Sequence, residues 1–174
     1  ALYENENVSL YNEDVSFRQD SYGLFWKLGL AWRNDELDLG LNISLPYLEI
    51  AGAGSFVYKE FLSGFGSTDD IYTHNILADI ESQRKEPLSI AFGAGIPIGK
   101  NKIHLNIEWY NKISSYDILV IPELESETGD APSFEFKEEL HEVFNYGLGA
   151  EIYINPKVNA YFSFTSDFSP SNKN

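Results

Sequence analysis

Few residues in this chain have the types and spacing that chemistry needs, and each such set has a plainer reading. Glu108 and Glu151 fall on segments whose small and polar residues share a face, and two facing carboxylates can exchange protons with a substrate. The plainer reading is two wetted charges that orient water. Three histidines occur, His74, His104 and His141, none at ligand-like spacing from another. His104 therefore reads as a water-wetted side chain. The run Gly95-Ile96-Pro97-Ile98-Gly99-Lys100 ends in Gly-Lys, but its spacing is wrong for a phosphate loop and Asn101 stands where Ser or Thr is needed. It reads as a strand ending in a turn. No G-x-S-x-G nucleophile elbow occurs. From 121 to 142 eight carboxylates (Glu123, Glu125, Glu127, Asp130, Glu135, Glu138, Glu139, Glu142) face one cation, Lys137, a composition open to divalent cations. Without the D-x-[DN]-x-[DN]-G loop, a solvated loop is the simpler expectation. No enzyme activity, metal centre or cofactor is predicted.

The elements that carry these residues show period two, hence strands. Between Tyr22 and Arg33, Leu24, Trp26, Leu28, Leu30 and Trp32 alternate with Gly23, Phe25, Lys27, Gly29, Ala31 and Arg33. After the polar turn 33–36, Leu37, Leu39, Leu41, Ile43 and Leu45 alternate with Asp38, Gly40, Asn42 and Ser44. This strand is expected to run on past Pro46 with a bend. A loop at 63–70 reverses the chain. Residues 71–98 read as one long strand kinked at Pro87, its second half carrying Leu88, Ile90, Phe92, Ala94, Ile96 and Ile98 as an apolar column. After the turn 99–102, Ile103, Leu105, Ile107 and Trp109 oppose His104, Asn106, Glu108 and Tyr110. A loop at 115–137 follows. Then Phe144, Tyr146, Leu148, Ala150, Ile152 and Ile154 oppose Asn145, Gly147, Gly149, Glu151 and Tyr153, and a turn at 155–157 leads to Val158, Ala160, Phe162 and Phe164. Residues 1–20 read as a loop or lead-in, 21–168 as six strands of a single segment, and 169–174 as a tail.

Alternation alone does not say which solvent the apolar columns meet. Strand length and composition favour lipid, because about 9–11 residues cross a bilayer as a tilted strand. Aromatic residues make up 15% of the chain, as aromatic girdles require. Short turns alternating with long loops repeat the asymmetry of outer-membrane barrels. No run of 18 apolar residues exists for a membrane helix. A net charge of −15 excludes nucleic acid as a partner, and the absence of cysteine excludes disulfides and thiolate metal sites. The start, Ala1-Leu2-Tyr3-Glu4, has no leader pattern and reads as a mature end or the cut end of a longer chain. Six strands are too few to close a known single-chain barrel, so the segment is expected to be part of a larger one.

The order of several short motifs resembles the FadL-type outer-membrane transporters of long-chain fatty acids, in their divergent Bacteroidetes-like form. The motifs are Tyr22-Gly23-Leu24 with the hairpin ending Leu45-Pro46, then Glu86-Pro87-Leu88-Ser89-Ile90-Ala91-Phe92-Gly93 followed by Glu108-Trp109-Tyr110, and finally Asn145-Tyr146-Gly147-Leu148-Gly149-Ala150-Glu151 with Asn155-Pro156-Lys157. The resemblance spans about residues 20–168. It implies a 14-stranded barrel in the bacterial outer membrane that passes hydrophobic small molecules and releases them sideways into lipid. The family's N-terminal hatch has no counterpart in these residues, so no ligand-binding residue is carried over. Pro87 is not equated with the family's lateral-exit kink.

The expectation is thus an all-β, antiparallel transmembrane barrel segment. Its lumen would be faced by Phe25, Lys27, Arg33, His104, Glu108, Tyr110, Glu151 and Tyr153. Lipid would meet Leu24, Trp26, Leu28, Leu30, Trp32, Leu39, Leu41, Ile90, Phe92, Ile107, Trp109, Leu148 and Ile152. Two alternatives stay open: a soluble lipid- or partner-binding barrel with its apolar columns inward, and a secretion-accessory barrel without a solute.

Overall fold

Period-two patterning becomes eleven strands in the computed structural model, which describes residues 10–63, 71–124 and 132–171. They are β1 (Leu10–Leu24), β2 (Lys27–Arg33), β3 (Asp38–Ser44), β4 (Leu48–Ser63), β5 (Ile71–Ile80), β6 (Ser89–Ile98), β7 (Asn101–Tyr110), β8 (Ile113–Leu119), β9 (Phe136–Leu140), β10 (Val143–Asn155) and β11 (Val158–Thr165). The described chain is all-β, and the registers of the six-stranded sheet and of β4 with β5 are all antiparallel. The strands form a six-stranded sheet in the order β11-β10-β7-β6-β3-β2, a three-stranded sheet β1-β4-β5 and a pair β8-β9.

Backbone contacts divide the chain into two compact units where the sequence reads as one segment. The first comprises Ala1–Tyr22, Glu49–Arg84 and Asp117–Glu138, and the second Gly23–Leu48, Lys85–Tyr116 and Glu139–Asn174. In the first unit, β4 buries every second residue, Gly54, Phe56 and Tyr58. Phe56 and Tyr58 join Leu119 and Leu124 in a small core, closed by Leu77, Ile80, Ile121, Phe134 and Phe136. Rings meet there at 5.1 Å between Phe56 and Phe134 and at 4.6 Å between Phe17 and Phe136.

The second unit is the six-stranded sheet. Three tight turns join its hairpins. Asn34 Oδ1 accepts the Glu36 and Leu37 N–H groups in the first, Gly99 at φ +61° reverses the second, and Asn155 Oδ1 accepts the Lys157 N–H in the third. The longer connections all leave the sheet at the end opposite these turns. Registers place each hairpin turn two to three residues further along the strands than the one before it.

Several expectations are corrected. Residues 10–20 are not a loop: they form most of β1, paired with β4 and anchored by Phe17 on Phe136. Phe25 and Trp26 separate β1 from β2, so 22–33 is not one strand, and Leu24 ends β1 rather than lying in the six-stranded sheet. The strand after the first turn stops at Ser44 and a new one starts at Leu48 in another sheet. Pro87 is not a strand kink. Residues 71–98 divide into β5 and β6 of different sheets, and the segment between them pairs instead with residues 118–120. Proline ends pairing because it lacks the N–H a ladder needs. The acidic stretch is not wholly a loop, since β9 lies within it and Leu124, Phe134 and Phe136 pack inward. In the expected tail, Ser171 bridges Leu140. Of the expected loop at 63–70, Ser63 ends β4 and residues 64–70 lie outside the described residues.

Candidate functional site: the polar face of the six-stranded sheet

Registers sort the sheet into two faces, with one irregularity between Tyr153 and Asn155 beside the last turn. One face stacks Leu28, Ile43, Ile90, Trp109 and Phe144 in a row, then Leu30, Leu41, Phe92, Ile107 and Tyr146, then Trp32, Leu39, Ala94, Leu105, Leu148 and Phe164. The opposite face is small at its centre, where Ala31, Gly40, Gly93, Asn106, Gly147 and Thr165 lie side by side.

Toward the tight-turn end the polar face is crossed by charge. Asp38 on β3 accepts from Arg33 Nε at 3.0 Å and also pairs with Lys102 Nζ. Lys102 belongs to β7 and reaches β3 across β6, where the intervening residue is Gly95. A Cβ on Gly95 would stand 2.8 Å from Lys102 Cε and 3.4 Å from Asp38 Cβ, so the crossing depends on a residue without a side chain. Glu151 continues the belt. It accepts from Asn159 Nδ2 at 2.8 Å and from the Tyr161 hydroxyl at 3.1 Å, and lies 4.0 Å from His104 Nε2. Nearby, Lys100 Nζ stands 4.6 Å from the centre of the Tyr153 ring.

Seven of the expected lumen residues, Lys27, Arg33, His104, Glu108, Tyr110, Glu151 and Tyr153, fall on this one face by register. Phe25 lies before β2, its ring 5.1 Å from Lys27 Nζ. Apart from Leu24 in β1, the expected lipid-facing residues of the strands share the other face, and Trp26 extends it because its carbonyl accepts the Leu45 N–H. Glu108 and Glu151 are not brought together: Glu108 is opposite Asn145, six positions along β10 from Glu151. That separation removes the paired-carboxylate chemistry. Sequence reasoning missed Asp38, Lys102, Asn159 and Tyr161 as partners, and the usable signal was the glycine column that lets a long side chain cross.

An open apolar groove of about 390 Å³, lined by Ile103, Leu148, Ala150, Phe162 and Phe164 with Gly149 and Ser163, lies on β7, β10 and β11. It presents no constellation of reactive groups. Among the described residues no three His, Asp or Glu are grouped to hold a metal ion, and in the acidic stretch Glu135 is paired with Lys137 at 2.8 Å. Residues 125–131 of that stretch lie outside the described residues. No family model, curated protein or solved structure matches this chain.

Proposed function

We propose that the six-stranded sheet is part of the wall of a larger bacterial outer-membrane β-barrel, and that the barrel passes hydrophobic solutes such as long-chain fatty acids. The observation that carries the reading is the uncovered apolar face. Leu30 is 72% exposed, Phe162 65% and Leu148 54%, and exposed apolar residues recur on β2, β6, β7, β10 and β11, while the β3 column Leu39, Leu41 and Ile43 is half-buried. A sheet in water covers its apolar face with a second layer. A sheet in lipid does not need one.

Charge divides in the same sense. The first unit holds eighteen carboxylates against four Lys or Arg, a net −14, and the second nine against eight, a net −1. The nearly neutral unit is the one with the apolar face. If the tight turns mark one membrane surface, their stagger of two to three residues per hairpin corresponds to strands tilted by roughly 35–45°, the tilt of membrane barrels. The column from Phe144 to Ile154 then rises about 26 Å along the membrane normal, against an apolar band of about 25 Å.

The solute class rests on the polar face. Lys27, Arg33 and Lys102 there are balanced by Asp38, Glu108 and Glu151, so no ring of one sign selects ions. Ala31, Gly40, Gly93 and Gly147 leave room at the centre of that face. The test is sizing and circular dichroism with and without detergent, followed by uptake of a fluorescent fatty acid into proteoliposomes that hold the complete barrel of which this sheet is part. β-Structure that needs micelles, with uptake above that of empty vesicles, supports the reading. A folded monomer in buffer overturns it, and micelle-dependent folding without uptake removes the solute but keeps the barrel.

A further inference from the structure

A second site lies wholly within the first, acidic unit, and it does not depend on the transport reading. Glu49 is held at the start of β4 by two donors: Ser21 Oγ gives its proton to Oε1 at 2.8 Å, and the Arg84 N–H reaches Oε2 at 2.9 Å. The carboxylate so fixed leans over Gly52, whose missing side chain leaves a space among oxygens. A Cβ there would lie 2.8 Å from the Ser82 carbonyl oxygen and 3.1 Å from Ser82 Oγ, and closer still to Glu49 Oε1. A carboxylate, a carbonyl and a hydroxyl thus converge on one small volume. Ser82 is only 8% exposed, and its Oγ is buried without a hydrogen-bond partner.

A buried polar atom without a partner is costly, and in native folds it ordinarily has a ligand or water. The backbone on both sides of Ser82 is tied: Val120 N–H donates to the Glu81 carbonyl and Gln83 N–H to the Ile118 carbonyl. Gly52 itself is exposed, so the space opens to solvent. The oxygens are hard donors of the kinds that calcium takes, with waters completing its shell. A unit carrying −14 also draws divalent cations toward it.

We propose that Glu49 Oε1, the Ser82 carbonyl and Ser82 Oγ form a calcium site over Gly52. One carboxylate among neutral oxygens makes it a weak site, with affinity on the order of a millimolar, the range of extracellular calcium modules. Magnesium, which holds its own waters and demands a smaller octahedron, binds less well.

The test is calcium titration of the full chain at constant ionic strength, read by calorimetry and by the shift of its thermal midpoint. Gly52→Ala and Ser82→Ala are run beside it, with circular dichroism to show that each variant is folded. Saturable binding that weakens about tenfold in Gly52→Ala, where a methyl fills the space, and less in Ser82→Ala, supports the site. Binding unchanged in both variants is diffuse screening of the acidic unit and overturns the proposal. Absence of saturable binding up to about ten times the expected affinity overturns it as well, leaving a water as the ligand of Ser82 Oγ. Should Gly52→Ala unfold, Glu49→Gln, which keeps shape and removes charge, gives the same decision.

Discussion

Lys102 reaches Asp38 over Gly95, where a side chain would press on the end of the lysine, and that crossing ties three strands at the turn end of the sheet. Gly95→Val is therefore expected to displace Lys102 and lower the urea midpoint, whereas Gly93→Ala, with nothing nearer than 3.7 Å, is expected to change it little. Phe56, fully buried in the other unit, gives a larger response: Phe56→Ala should cost about 3–5 kcal/mol, read by urea unfolding monitored at that unit. Tyr58 beside it supplies a pH dependence. Burial, followed by the Glu60 carboxylate that accepts its proton at 3.2 Å, pushes the Tyr58 hydroxyl up to about 12. A phenol raised above its unfolded value of about 10 favours the fold while neutral. The contribution is complete below pH 10 and is lost as the pH rises through 12, a loss of about 2–3 kcal/mol. Tyr58→Phe should flatten the decline in thermal midpoint over that interval.

At the scale of elements, the two faces of the sheet make opposite forecasts. Leu28→Arg and Leu148→Arg should each cost about 2–4 kcal/mol in a bilayer, and Asn106→Arg on the other face much less, by denaturant titration in lipid vesicles. Equal penalties on the two faces would remove lipid as the solvent of the apolar one. These columns were legible in the sequence because each strand carries its own period, from Leu28 to Trp32 or from Phe144 to Ile154, and needs no knowledge of its neighbours. What was not legible depends on partners. The interruption at 83–87 is visible in the residues, but that its neighbour is 118–120 rather than the continuing strand is a long-range choice. β1 was hidden for the same reason, since its exposed, polar alternation makes sense only beside β4 and Phe136. The Asp38–Lys102 pair follows from two registers at once, and no single strand encodes either.

For the molecule as a whole, the division of charge into −14 and −1 is the property that the linear order conceals, because each unit is assembled from three separate stretches. High salt should accordingly raise the thermal midpoint of the acidic unit, where like charges repel, and leave the neutral sheet nearly unaffected, a difference that calorimetry at low and high ionic strength would show. The interleaving also governs the order of folding. Each tight turn closes a hairpin from neighbours in the chain, which is a local and fast event. Joining those hairpins is different: β3 must find β6 across 45–88, and β7 must find β10 across 111–142. Each docking closes a long loop, whose entropy is paid before the contacts return it. If the excursions condense first around Phe56, the loop ends are already near one another and the search shortens. The small core of the acidic unit would then act as the timer of the sheet, and Phe56→Ala would slow β-sheet formation by nearly its whole loss of equilibrium stability, a φ-value close to 1.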